Sequence, residues 1–261
     1  MRETKKEDPK KVIAVAGKGG TGKTTLTAIM TKLFSEAGYR ILAVDADPPV
    51  SLAYALGVEP KKTVGEMRAV MIEDPDEKRR IKDKPMAEVI RDELVIEVGG
   101  ISLLVLGQPE AAGCFCGLND LLKFGIESLS KNYDITLIDC EAGIEQINRR
   151  VISGLSTLIM VSDPTQKGVR TACHLKTIAE KYGVMGGYRS GLVFNRTQGD
   201  LGDLEMMAAD HGLEVWGKIP LDENVALFDR AGRPTINLPD DTLSVLAVKK
   251  ILSRLGFLSP E

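Results

Sequence analysis

Residues 11–25 read Lys-Val-Ile-Ala-Val-Ala-Gly-Lys-Gly-Gly-Thr-Gly-Lys-Thr-Thr, and this stretch decides the fold. Val12 to Ala16 is a short apolar run closed by a glycine, which predicts a buried strand. Gly17 to Thr24 fits the phosphate-loop pattern, a glycine at each end of a four-residue spacer followed by Lys-Thr. Apolar residues at helical spacing run on from Thr24 to Phe34. The motif therefore has the context it requires, a strand before it and a helix after it.

The chemistry fixes these residue types. Gly17, Gly19, Gly20 and Gly22 let backbone N–H groups curl around a phosphate with no Cβ in the way. In such loops a lysine placed like Lys23 reaches the β- and γ-phosphates, and a hydroxyl placed like that of Thr24 ligates Mg²⁺. The helix N-terminus behind them adds positive potential. Thr21 and Thr25 complete the candidate nucleotide site. Lys18 is surplus to this chemistry, because one lysine serves a phosphate loop; by residue type alone it is a solvated loop lysine.

Working outward, the 261 residues suit one large α/β domain spanning 1–261 better than two. A formal charge of -3 gives no general attraction to nucleic acid or to an anionic membrane. The first residues are charged and have no apolar core, so no signal peptide is expected. No apolar run reaches the roughly 18 residues that a bilayer span needs. With four cysteines and no secretory signal, the expected compartment is a reducing cytoplasm.

Arg40 to Val44 reads as a second strand, running into Asp45-Ala46-Asp47-Pro48-Pro49. Two carboxylates at the ligand edge of a parallel sheet suit Mg²⁺ or the positioning of an attacking water. The same residues also suit a plain strand-ending turn. Residues 58–93 are dense in charge and read as an exposed helical insertion with solvated faces of mixed sign. Leu94–Val98 and Ile101–Leu106 flank Gly99-Gly100, a hairpin signal. A loop over 107–117 precedes a helix whose Leu118, Leu121, Leu122, Ile126 and Leu129 share one face. Asp134 to Ile138 is a strand ending in Asp139-Cys140-Glu141-Ala142-Gly143-Ile144-Glu145, the carboxylate-then-glycine arrangement that a Mg²⁺ contact and a γ-phosphate sensor require. Further strands end in Asn195-Arg196 and Pro220-Leu221-Asp222, and an asparagine amide can read an adenine edge because it both donates and accepts. Repeated strand–helix alternation predicts an α/β fold, a mostly parallel central sheet with helices on both faces. Thr242–Leu258 is amphipathic but only weakly cationic, so a helix docked on the sheet is favoured over a membrane-binding one.

Cys114-Phe115-Cys116 stands apart. In an extended segment residues i and i+2 point the same way, so two thiolates could share one soft metal. A tetrahedral site wants four ligands, and a two-fold axis through the metal would supply the other pair from a second chain. Two ordinary cysteines at a helix start remain the plain alternative. Cys140 and Cys173 need no metal reading.

The sequence Lys-Gly-Gly-Thr-Gly-Lys-Thr-Thr resembles the deviant Walker A loop of the MinD, ParA and nitrogenase iron protein class. The resemblance implies that Lys18 crosses a homodimer interface to the partner's nucleotide. It makes Asp-Ala-Asp-Pro switch I, with Asp47 facing the attacking water. Asp-Cys-Glu-Ala-Gly-Ile-Glu becomes switch II, with Asp139 near Mg²⁺ through water and Gly143 sensing the γ-phosphate. It also implies that Asn195, Arg196, Pro220, Leu221 and Asp222 hold adenine. With the Gly-Cys-Phe-Cys loop added, the chain resembles the CooC family of nickel-insertion ATPases. That resemblance implies Ni²⁺ or Zn²⁺ on Cys114 and Cys116 across an ATP-responsive dimer, and carbon monoxide dehydrogenase or acetyl-CoA synthase as client. The competing readings are a MinD- or ParA-like positioning ATPase acting on membrane or DNA, and an iron–sulfur carrier or reductase.

Overall fold

The computed structural model describes residues 11–108, 116–140, 154–182 and 188–259. Among them, eight strands form one sheet: β1 (Lys11–Gly17), β2 (Ile41–Ala46), β3 (Ile96–Val98), β4 (Ile101–Val105), β5 (Ile135–Cys140), β6 (Thr157–Ser162), β7 (Arg189–Thr197) and β8 (Val215–Pro220). Their order is β3-β4-β2-β5-β1-β6-β7-β8, and every pairing is parallel except the β3–β4 hairpin. Gly99 and Gly100 turn that hairpin with both φ values positive, 55° and 84°, as a tight two-residue loop demands.

Among the described residues the helices are α1 (Lys23–Glu36), α2 (Ser51–Ala55), α3 (Val64–Glu73), α4 (Pro75–Lys82), α5 (Met86–Glu93), α6 (Cys116–Leu129), α7 (Gln166–Tyr182), α8 (Gly202–Asp210), α9 (Glu223–Arg230) and α10 (Leu243–Arg254). They cover both faces of the sheet, which explains why its strands are continuously apolar. In β1, Val12, Ala14 and Ala16 join a core with residues of α3 to α8, while Ile13 and Val15 join a second core with α1, α2, α9 and α10. The sheet therefore buries apolar surface twice.

Several strands extend beyond the limits read from the sequence. β5 continues through Asp139 to Cys140 because β1 and β2 flank it and pair with it there, Val15 and Asp45 both opposite Asp139. β2 takes in Asp45 for the same reason. β7 runs one residue past Asn195-Arg196, to Thr197, with a register irregularity against β8 at that point. The C-terminal helix is shorter than its pattern, ending at a Leu255 cap and Gly256 with φ 75°. Val245, Val248, Ile251 and Leu252 bury it against the sheet, as expected.

The charged insertion is less exposed than its composition suggests. Thr63 and Glu66 form a capping box that starts α3: the Thr63 hydroxyl accepts from the Glu66 N–H, and the Glu66 carboxylate accepts from the Thr63 N–H. Asp74 accepts from the N–H groups of Asp76 and Glu77 to start α4. Met67, Ile81, Val89 and Ile90 reach through the charged faces into the first core.

One glycine in β7 is set by close approach. A Cβ on Gly191 would lie 2.2 Å from the ring of Trp216, which is buried. Gly191→Ala should therefore lower stability by about 1–3 kcal/mol through overpacking, read as a fall in the urea midpoint. An unchanged midpoint would show that the indole can shift without cost.

Candidate functional site

The site forms where β1, the central strand, delivers the chain to α1. The intervening loop is held by its own backbone. The Lys18 carbonyl accepts from the Thr21 hydroxyl at 2.9 Å and from Lys23 Nζ at 3.4 Å. Gly22, with φ 88°, stands directly before α1 in the left-handed region that disfavours a side chain. A Cβ there would also lie 2.2 Å from the side-chain nitrogen of Asn195. That nitrogen donates to the Thr21 carbonyl at 2.8 Å. β7 thus braces the loop from beneath.

Thr24, in the first turn of α1, donates its hydroxyl to Asp139 Oδ2 at 2.6 Å. Thr27, one turn on, approaches Asp139 Oδ1 at 3.4 Å. Burial pushes the Asp139 carboxyl up to about 7; the Thr24 hydrogen bond works against that rise, and nearby Asp45 adds to it.

The two carboxylates of Asp-Ala-Asp-Pro have different tasks. Asp45 is buried and accepts from the N–H groups of Leu52 at 2.8 Å and Ala53 at 3.1 Å, so it fixes the start of α2. Burial pushes it up to about 6 against those bonds. Asp47 instead lines the cavity in front of the loop, its pKa raised by burial and lowered in turn by Lys23. A turn closed by the Val50 N–H on the Asp47 carbonyl carries it there. Val50 itself sits at φ 61°, a strained conformation for a β-branched residue.

That cavity has a volume of about 910 Å³ and is lined by Gly19, Gly20, Gly22 and Lys23 to Thr25, with Asp47 and α2 on one side and Arg196 and Thr235 among its other walls. A neighbouring cavity of about 450 Å³ is lined by Thr25, Asn195, Arg196, Pro220, Leu221 and Asp222, among others. Those five residues, from Asn195 to Asp222, therefore line one cavity. The Asn195 amide, however, is already engaged: its oxygen accepts from the Arg196 N–H at 2.9 Å while its nitrogen holds Thr21. Arg196, at φ 58°, donates to the Gly20 carbonyl at 3.1 Å. Asp222 is likewise engaged, accepting from the N–H groups of Asn224 and Ser244. Asn195 and Arg196 thus brace the loop, Asp222 holds the starts of α9 and α10, and all three line this cavity.

Cys114 and Gly143 lie outside the described residues, and Cys116 opens α6. Among the described residues no group of three or more His, Cys, Asp or Glu is placed to hold a metal. Cys140 is buried, which pushes its thiol pKa up, and Cys173 is half-buried. No described helix is long and apolar enough to cross a membrane. Sequence reasoning missed Asp163, which pairs with Lys18 Nζ at 3.3 Å. Its signal is an acidic residue at the end of β6 followed by proline, the same punctuation as Asp47-Pro48.

The donor set suits a nucleotide triphosphate with a divalent cation. The loop presents glycine backbone where a Cβ would intrude, a lysine sits at its exit, and a hydroxyl and a buried carboxylate meet at 2.6 Å behind it. Residues 12–235 match the profile of the CobQ/CobB/MinD/ParA nucleotide-binding domain. The chain belongs to this family. An uncharacterized ATP-binding protein of Methanocaldococcus jannaschii is 33% identical over 249 residues, covering 94% of this chain and 98% of that protein. The carbon monoxide dehydrogenase accessory protein CooC of Rhodospirillum rubrum is 28% identical over 232 residues, covering 84% of this chain and 87% of that one. Among solved structures, the Pyrococcus furiosus cell division ATPase MinD superposes with a TM-score of 0.69 at 21% identity, covering 95% of this chain and 99% of MinD. The Pyrococcus horikoshii MinD complexed with Mg-ADP gives 0.68 at 19%, covering 94% and 95%. The MinD likeness shows the P-loop fold. Family membership makes this chain a MinD/ParA-type P-loop ATPase in general outline.

Gly22→Ala tests the brace. The left-handed backbone and the Asn195 contact together should weaken Mg-ATP binding by about tenfold or more, measured by calorimetric titration of the folded variant. Unchanged affinity would show that the loop does not depend on this contact.

Proposed function

We propose that the chain is a homodimeric, magnesium-dependent ATPase that carries nickel or zinc on Cys114 and Cys116 and delivers nickel during maturation of carbon monoxide dehydrogenase or acetyl-CoA synthase. One observation carries the reading: a chain with a complete phosphate loop also bears Cys-Phe-Cys after β4 in the sequence, its second cysteine the first residue of α6. The relationship to CooC supports the client assignment.

Lys23 binds the β- and γ-phosphates, and the loop N–H groups orient them. Thr24, Asp139 and Asp47 are the residues that would hold a magnesium ion, the two carboxylates through water. When bound, that ion neutralises charge developing on the transferred phosphoryl group. Asp47, in the cavity wall, orients the attacking water. Gly143 senses the γ-phosphate. Lys18 acts across the dimer on the partner's nucleotide, a task comparable to that of an arginine finger. The wall from Pro220 to Asp222, with Asn195 and Arg196, receives adenine. The metal cargo is held by four thiolates from two chains, and such sites contribute roughly 10 kcal/mol or more of apparent binding free energy near neutral pH.

The test is metal content and mass in solution of anaerobically purified protein, with and without ATP, for the parent and for Cys114→Ser/Cys116→Ser. The parent should hold one Ni²⁺ or Zn²⁺ per dimer, and the double variant none. A double variant that keeps one metal per dimer would refute the site. The positioning-ATPase reading draws on Leu243 and Leu246, exposed on α10. ATP-dependent cosedimentation with anionic phospholipid vesicles, together with a metal-free parent, would favour it instead.

A further inference from the structure

Asp139 is fully buried at the end of β5, yet among the described residues only two groups come within hydrogen-bonding range of its oxygens. Thr24 donates its hydroxyl to Oδ2 at 2.6 Å. Thr27 Oγ1 stands 3.4 Å from Oδ1, outside the roughly 2.5–3.0 Å of a settled O–H···O bond. A carboxylate has about four acceptor sites, so a single close bond leaves this buried group under-satisfied.

Thr27 is equally buried, one turn along α1. Positions three apart share a helix face, so the hydroxyls of Thr24 and Thr27 stand side by side, one before each carboxylate oxygen. The Thr27 hydroxyl donates instead to the Lys23 carbonyl at 2.9 Å. That carbonyl lies inside α1, where the helical ladder already supplies it with the N–H of Thr27.

The geometry points to Thr27 as a positioning residue for Asp139: its hydroxyl turns from the Lys23 carbonyl to Asp139 Oδ1 when a magnesium nucleotide binds, and with Thr24 on Oδ2 it fixes the plane of the carboxylate. The inference rests on the reading of Asp139 as a carboxylate of the magnesium site.

The turn costs little. A hydroxyl hydrogen rotates about its own C–O bond to suit its acceptor, so the Thr27 side chain keeps its rotamer. The Lys23 carbonyl retains its ladder bond, so the departing hydroxyl orphans nothing. The carboxylate closes the remaining gap by rotating about χ2, a broad and soft torsion in aspartate. One bond at Oδ2 leaves that same torsion free, whereas a second bond at Oδ1 stops it. The backbone on both sides stays in place. Asp139 pairs in register with Val15 and Asp45, and the Thr31 hydroxyl donates to the Thr27 carbonyl at 2.8 Å. A carboxylate that serves a magnesium ion must stay ionised in one orientation. Partners that orient such groups are worth about 10- to 100-fold in metal affinity.

The experiment measures ATP binding by calorimetry, in EDTA and over a series of Mg²⁺ concentrations. It compares the parent, Thr27→Val, Thr27→Ser, Asp139→Asn and Thr27→Val/Asp139→Asn. Valine keeps the branched shape of threonine and removes the hydroxyl. Thr27→Val should raise the Mg²⁺ concentration at half-maximal enhancement of ATP binding by about 10- to 100-fold, with the affinity for ATP in EDTA unchanged. Thr27→Ser, which keeps the hydroxyl, should match the parent. In the Asp139→Asn background the Thr27→Val effect should vanish. A parental Mg²⁺ dependence in Thr27→Val overturns the proposal, and so does an effect that persists in Asp139→Asn. An equal loss of ATP binding with and without Mg²⁺ also overturns it, because Thr27 would then support the fold of the loop alone. Should Thr27→Val fail to fold, Thr27→Ala must give the same shift in Mg²⁺ dependence. Asp139→Asn with parental Mg²⁺ dependence would instead remove the magnesium reading on which the inference rests, an outcome that the single variant reports by itself.

Discussion

The hydrogen bond from Thr24 to Asp139, 2.6 Å long, ties the helix that carries the phosphate loop to the strand beside it. Because Asp139 pairs in register with both Val15 of β1 and Asp45 of β2, three strand ends converge on this one bond. The position of α1 relative to the sheet, and with it the aim of Lys23, is fixed there. Burial of Asp139 and Asp45 side by side is costly, and both carboxyls are pushed upward as a result. Lys23 offsets part of this cost for Asp139, and a divalent cation beside Thr24 would offset more.

The neighbouring loops follow from that constraint. Asp45 Oδ2 accepts from the N–H groups at the start of α2, and the turn beyond it presents Asp47 to the cavity at the expense of a strained Val50. On the other side, β7 sends Asn195 beneath Thr21 and Arg196 onto Gly20. The phosphate loop is thus supported by the same strand that lines the neighbouring cavity, so the two share a physical frame.

The loop itself was legible in the sequence because its chemistry is local. Glycines at fixed spacing, a lysine and a threonine say what the backbone must do, and no distant partner is needed to read them. The parallel sheet was legible for a similar reason, since strands buried on both faces are continuously apolar. The split between Asp45 and Asp47 was not, because it depends on where α2 begins after two prolines. The engagement of Asn195 with Thr21 was hidden by a separation of 174 residues. Asp163 repeats the acid-then-proline ending of Asp47-Pro48, but its pairing with Lys18 shows only once β6 lies beside β1. In the insertion, charge concealed four apolar anchors, Met67, Ile81, Val89 and Ile90, whose positions follow three short helices rather than one period.

The claim beneath all of this is that the loop between β1 and α1 binds the phosphates of ATP through Lys23. Calorimetric titration of Mg-ATP into the parent and into Lys23→Ala, with phosphate release measured on the same samples, tests it most directly. The account predicts saturable binding and magnesium-dependent phosphate release in the parent, and loss of both in the variant, because the β- and γ-phosphates lose their main cationic partner. Parental affinity for ATP in Lys23→Ala would contradict it.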